Sequence, residues 1–430
     1  MNASDDERKI GIEVFYTDIE GIGGKLRSKP EDFRVIEIPK DISADEEGDY
    51  IILKVTSKNW ETNHLIRELA RRLGISRKRI SFAGTKDRRA VTTQLFSIYY
   101  PDKELPEIKI KDIEIEFVCR SNRRIEIGDL IGNEFRIVIR DVEVCKEEAK
   151  KRIDEINKEL KEIGGFPNFY GFQRFGSLRP VTHIVGKEIV KGDFDRAVDL
   201  YLTYTTDKED ETYRLARERF SKERDISKAL SYFPKHLNFE LTLLNELKKG
   251  KNAIEALQSL PKNLLMMFLY AYQSYIFNRI LSERIKRKLP LGEAIEGDLI
   301  VPVSKYGEEE DIIPVNNRNI EKVNRMIRLG KAAVTGAIVG YDTRFAEGEM
   351  GEIEKRIVEE ESIDVRDFIV PEIPFLSSKG GRRVLVSPYK DFSYRFLDNS
   401  SVEMKFFLRK GSYATSLLRE FMKSRDIRNY

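Results

Sequence analysis

The pattern of apolar and polar positions divides the chain into stretches of different character. Near the start, RVIEIP (34–39) and YIILKVTSK (50–58) alternate or run apolar and β-branched, which predicts two strands joined by the acidic loop DISADEEGD. A helical period then takes over. Leu65, Ile66, Leu69 and Leu73 share one face, so a helix is expected over 63–73, capped by Thr62 and ended by Gly74. RISFAG (79–84), TQLFSIYY (93–100), IEIEFVCR (113–120) and NEFRIVIR (133–140) read as further strands, and 146–163 as a charged amphipathic helix closed by Gly164 and Gly165.

From about 190 to 290 nearly everything has helical periodicity, with breaks expected only at Pro234, Gly250 and Pro261 and an end at Pro290. A mixed region follows: a strand at DLIVPV (298–303) and helices near 319–329 and 350–361. SYRFL (393–397) and VEMKFFL (402–408) then return to strand patterning, ahead of a helix over about 413–423. Strands at both ends and helices between them predict an α+β protein, with one sheet built from the two termini and a helical domain inserted in it.

Length agrees with more than one core, since 430 residues exceed an ordinary single domain. Charge changes the picture more by position than by amount. The chain carries 76 basic and 73 acidic residues, a net charge of only +3, so no bulk polyanion binder is announced. Cys119 and Cys145 form no CxxC, which argues against a disulfide framework and fits a reduced, cytoplasmic setting. His64, His183 and His236 lack metal-ligand spacing, so neither metal nor cofactor is expected. The opening MNASDDERKI is too polar for a signal peptide. The most apolar run, LLMMFLYAYQSYIF (264–277), is too short to span a bilayer and reads as a buried helix.

Within this near-neutral chain one segment stands apart. Residues 71–90 hold eight basic side chains and a single acid, Asp87. A strand ending in GTKD puts that carboxylate on a turn, where a sheet can present it to a cleft. Lys86, Arg88 and Arg89 are expected to favour its ionised form and to hold phosphates on either side of a nucleotide. On its own, Asp87 reads equally as an ordinary turn residue among solvated cations. FPNFYGFQRFG (166–176) is a second signal. As a loop it offers flat faces for stacking, amides for base edges and a guanidinium for phosphate, although an aromatic mini-core serves as well. RKGSYATSLLREF (409–421) is a basic turn and then a helix that starts at Tyr413, in isolation no more than a capped helix.

Taken in order, these segments resemble the TruD family of tRNA pseudouridine synthases. The family's AGxKDxxAxTxQ stands here as AGTKDRRAVTTQ (83–94), its aromatic loop as NFYGFQRFG (168–176), its C-terminal turn as GSYATS (411–416), and an upstream strand as PEDFRVIE (30–37). The helical middle matches more loosely, for example at QSYIFN (273–278). The resemblance implies a pseudouridine-synthase catalytic domain with a mixed, largely antiparallel sheet, formed by 1–177 and 387–430. A mainly helical α/β TRUD domain, 178–386, interrupts it. It also implies an isomerase that converts uridine to pseudouridine in tRNA, notably uridine 13, with Asp87 as catalytic carboxylate. Asn168, Tyr170, Gln173 and Arg174 are implied to shape the uridine pocket, with Lys86 and Arg88 beside the substrate and Tyr413, a Phe in most members, stacked on the target base. The position three before the PEDF proline, usually Lys, is Arg27 here, with Lys29 close by; either is a candidate partner for Asp87. A cytoplasmic monomer with tRNA as its partner and no membrane is the expected setting. The competing class is a non-catalytic RNA-binding or RNA-folding protein on the same scaffold. A metal nuclease would want clustered carboxylates and a methyltransferase a glycine-rich turn, and neither pattern is found.

Overall fold

The computed structural model describes residues 1–101, 104–304 and 307–430. Its larger sheet has nine strands, and seven of them run side by side in the order Tyr389–Phe396, Val402–Arg409, Leu130–Val142, Phe33–Pro39, Val91–Tyr99, Tyr50–Lys58 and Ile113–Ser121. The short strands Gly23–Lys25 and Ile80–Phe82 add to Leu130–Val142 and Val91–Tyr99. Every pairing is antiparallel except one: Phe33–Pro39 runs parallel to Val91–Tyr99, with Arg34 opposite Val91. The fold is therefore α+β with a mixed, largely antiparallel sheet, and strands from both ends of the chain meet where Val402–Arg409 pairs Leu130–Val142.

Period-two burial explains the register. Val402, Met404, Phe406 and Leu408 are buried while their neighbours are only half-buried, so a one-residue slip would turn the apolar set to the other face. That set packs against Ala149, Ile153, Ile156 and Leu160 of the helix Lys146–Glu162, and against Leu417, Leu418 and Phe421 of the helix Ala414–Met422. A separate core lies under the helix Thr62–Leu73.

The middle of the chain is mainly helical. Helices from Thr182–Val190 to Ala253–Gln258 enclose one core. The 25-residue helix Lys262–Lys286 then packs against a small antiparallel sheet that includes Leu299–Ser304, Ala332–Ile338 and Gly381–Val384. No helix among the described residues is long and apolar enough to cross a membrane.

Three expectations need correction. The helix Thr62–Leu73 is capped by Glu61, whose carboxylate accepts the Asn63 and His64 amides at 3.1 Å, and not by Thr62. The helical stretch also breaks around Gly192, at 204–210 and at Arg224, which takes a left-handed cap conformation at φ 53°. The strand Gly381–Val384 and the helix Asp5–Lys9 were not expected at all.

Candidate active site

Asp87 lies in the loop between Ile80–Phe82 and Val91–Tyr99, and the sheet fixes that loop from below. The Lys86 amide donates to the Thr62 hydroxyl at 3.0 Å, and the Lys86 ammonium is ion-paired to Glu37. Glu37 stands on the buried face of Phe33–Pro39, and its other oxygen accepts the Leu95 amide at 3.2 Å. With Lys86 at 6% and Glu37 at 1% side-chain exposure, this pair is internal structure. A charge so placed needs its partner, because the same apolar surround that strengthens the pair makes an unpaired ion costly.

The cation at Asp87 is therefore not Lys86. It is Arg27, whose Nη2 stands 3.3 Å from Asp87 Oδ2. The parallel pair accounts for the meeting: with Arg34 opposite Val91, the segments leading into both strands reach the same edge of the sheet. Arg27 sits in a left-handed turn at φ 56°, an uncommon conformation for a residue with a side chain. Its guanidinium lies over the Phe33 ring, 4.1 Å from the centroid, and is 14% exposed. Stacking on a rigid ring holds the fork in place. Asp87 remains 36% exposed, and its Oδ1 receives one long hydrogen bond, 3.4 Å, from Gln173 Nε2. Arg88 and Arg89 are exposed.

Gln173 brings in the aromatic loop. Tyr170 is buried: its amide donates to Asn278 Oδ1 at 2.9 Å and its carbonyl accepts from Asn278 Nδ2 at 3.0 Å. Its ring meets Tyr413 at 6.1 Å and Phe277 at 5.7 Å between centroids. Arg174 donates to the Ser274 hydroxyl at 3.2 Å and lies between the Tyr170 and Tyr270 rings. Asn168 faces inward, with its amide donating to the Val384 carbonyl at 2.9 Å and its oxygen accepting from Arg383 at 2.6 Å.

Arg383 is the residue that sequence reasoning missed. Its guanidinium sits 4.1 Å from the Tyr170 centroid and reaches the Gly411 carbonyl at 3.3 Å, so it ties the aromatic loop to the GSYATS turn. Its only signal was a second basic cluster, GGRR (380–383). Tyr413 precedes the helix Ala414–Met422 with its ring half-buried. Beside these groups a cavity of about 400 Å³ opens, with Arg27, Arg89 and Gln173 among its walls. The arrangement can hold one ionised carboxylate at a solvent-reachable edge, oriented by a stacked guanidinium, next to aromatic faces and cations suited to a nucleotide.

A family model described as tRNA pseudouridine synthase D (TruD) matches residues 9–421. A protein of Methanococcoides burtonii named "Probable tRNA pseudouridine synthase D" is 42% identical over 434 residues, covering 98% of each chain. One of the same name from Thermococcus sibiricus is 40% identical, covering 95% of this chain and 97% of its own. A crystal structure of a Methanosarcina mazei protein assigned as tRNA pseudouridine synthase D superposes with a TM-score of 0.88 at 40% identity, over 98% of this chain and 99% of the other.

Proposed function

Because the chain belongs to the tRNA pseudouridine synthase D (TruD) family, we propose that it isomerises a tRNA uridine to pseudouridine through the carboxylate of Asp87, and that its target is uridine 13. The reaction breaks the N1–C1′ bond, turns the uracil and rejoins it through C5. Nothing is oxidised: C5 gives up its proton to solvent and N1 takes one, so the composition is unchanged. One carboxylate beside the ribose suffices, as nucleophile at C1′ or as base at C2′ giving a glycal.

The observation that carries this reading is the setting of Asp87: half-exposed, paired to Arg27 at 3.3 Å, and lightly held by Gln173 at 3.4 Å. Arg27, stacked on Phe33, keeps one oxygen and the carboxylate plane in place. The Gln173 bond is long enough to yield the other oxygen to the sugar. Reaching C1′ requires drawing the uridine out of its stack, at a cost of roughly a few kcal/mol. Arg88 and Arg174 offset it by holding the neighbouring backbone, and Tyr413 and Tyr170 offer faces to the freed uracil. In this reading Lys86 and Asn168 act one step removed: Lys86 holds the Asp87 loop through Glu37, and Asn168 anchors the aromatic loop.

The reading divides the chain into a catalytic domain, 1–177 with 387–430, and an inserted domain, 178–386, with tRNA bound between them by a cytoplasmic monomer. Asp87→Asn should fold, bind tRNA and release no tritium from 5-labelled uridine; turnover near that of the unaltered protein would overturn the assignment. Mapping pseudouridine in host tRNA with and without the protein tests position 13.

A further inference from the structure

The 400 Å³ cavity beside Asp87 is built from five separate segments, and its lining includes neither Asp87 nor Tyr170 nor Tyr413. Its walls are Ile12, Phe172, Leu178, Ile427 and Tyr430, so both ends of the chain and the aromatic loop close it. Arg419 and Glu7 also reach it, but they are spoken for. Arg419 is buried with Nε paired to Glu7, Nη1 to Glu420 at 3.1 Å, and Nη2 on the Val14 carbonyl at 2.9 Å, and its plane lies 3.8 Å from the Phe15 centroid. Glu7 in turn accepts the Ser4 amide and hydroxyl. The floor therefore offers apolar surface and little hydrogen bonding.

The rim is different. Arg27, Arg89 and Arg428 surround it; Arg27 is paired to Asp87 and Arg428 to Asp426 at 2.5 Å, whereas Arg89 has no carboxylate partner among the described residues, only a 3.5 Å contact to the Ser28 carbonyl, and is the cation left for a phosphate. An apolar slot with a cationic rim is complementary to a nucleotide: a flat base inside, phosphate outside. Its volume lies in the range of about 300–1,000 Å³ that accommodates small ligands. Arg27 and Gln173 are shared between this slot and the Asp87 carboxylate, so an occupant sits next to the reacting nucleotide.

We propose that this cavity is a second base site, which takes the base of the nucleotide adjacent to the target uridine by stacking, with Phe172 and Tyr430 as its aromatic faces. The inference rests on the assignment of Asp87 as the reacting group. Its physical basis is that pulling one base from a stack leaves the neighbour with a bare face, and a site that covers that face stabilises the open RNA. Arg419, Glu7, Ser416 and Tyr430 are already bonded, which leaves only the Ser177 and Thr415 hydroxyls and the Gln173 amide to meet a base edge, so the site holds its base mainly by stacking and discriminates little between bases.

The test uses tRNA carrying an abasic nucleotide on the 5′ or the 3′ side of the target. For one of the two positions the affinity should fall about tenfold, whereas exchanging that base for another natural base should cost less than about threefold. Ile427→Trp, which fills the slot, and Leu178→Trp, at its exposed edge, should raise KM for intact tRNA about tenfold with the saturated rate little changed, and should add nothing on the abasic tRNA. Equal affinity for intact and abasic tRNA overturns the proposal, as does a base exchange that costs as much as base removal. Loss of the saturated rate in both tryptophan variants also overturns it, because the slot would then hold the uridine itself. Binding measured with Asp87→Asn protein keeps the two readings apart: a wrong carboxylate shows as turnover by that variant, a wrong slot as indifference to the abasic site.

Discussion

Replacing Lys86 with Met separates two roles that the sequence leaves equally open. If Lys86 faced RNA, its loss would weaken binding, lower the salt slope by about one phosphate contact, and leave stability nearly unchanged. The structure assigns it to Glu37, with both side chains buried. Lys86→Met leaves the Glu37 carboxylate in an apolar surround with only the Leu95 amide, and removal of one partner from such a pair costs about 3–5 kcal/mol. Glu37→Met alone should cost a similar amount by stranding the ammonium. The double variant places two apolar chains face to face and should cost only about 1 kcal/mol, where simple addition of the two singles would give about 6–10, a coupling of about 5–9 kcal/mol. Urea unfolding of the four proteins measures this, and tritium release measures the consequence for the loop. The single variants should lose activity beyond their unfolded fraction, since Asp87 is the next residue along and the ion pair that anchors Lys86 is gone, leaving its amide bond to Thr62. Additive substitutions would refute the buried pair, as would a Lys86→Met variant that changes the salt dependence of tRNA binding without changing stability.

Other outcomes follow from the same geometry. Arg27→Gly relieves the backbone at φ 56° but removes the stacked guanidinium, so stability should move by no more than about 1 kcal/mol while the rate falls by about a hundredfold, read from unfolding and single-turnover curves together. Arg88→Ala and Arg89→Ala should each lower the slope of log affinity against log salt by about one, measured by titrating tRNA at several salt concentrations. His183 is buried between the Phe175 and Tyr275 rings, with Lys187 and Glu361 as nearby charges, and burial pushes its imidazole down to about 4. It is neutral in the fold and protonated more readily in the unfolded chain. Its contribution is therefore fully present above about pH 6.5 and is lost as pH falls toward about 4, by at most about 3 kcal/mol. His183→Phe should remove that part of the pH dependence in urea unfolding at pH 7 and pH 4.5.

Much of the sheet was legible because its strands bury one face. Val402 to Leu408 alternate cleanly, and the pattern 133–140 lies inside the longer strand Leu130–Val142. The segment around Asp87 was legible from charge, one acid among eight bases over 71–90. The partners of those charges were not. Lys86 is indistinguishable from Arg88 in sequence, and only the neighbouring strand, 49 residues earlier, turns it inward to Glu37. Choosing Arg27 over Lys29 required the left-handed turn at Arg27, and no glycine marks that turn. Arg383 lay hidden because it acts through the Tyr170 ring, the Asn168 side-chain oxygen and two carbonyls, contacts with no sequence spacing. The helix Asp5–Lys9 does carry a legible signal, the Ser4–Glu7 capping box.

One parallel contact in an antiparallel sheet explains why the candidate site needs the whole chain. An antiparallel neighbour would carry the entrance of Phe33–Pro39 to the opposite edge from that of Val91–Tyr99, and Arg27 could not meet Asp87. Parallel pairing puts both entrances on one edge, while Leu130–Val142 joins the C-terminal strand Val402–Arg409 to the same sheet. That strand leads through GSYATS to the helix whose Arg419 pairs with Glu7 near the N-terminus. Carboxylate, guanidinium, aromatic loop and cavity walls thus come from segments that touch only after long-range pairing is complete. The Arg27 and Lys86 ends of the site are tied to buried pairs and strand register, so the carboxylate and its guanidinium should separate with the sheet and not ahead of it, whereas the cavity walls at Ile427 and Tyr430 rest on a short C-terminal turn.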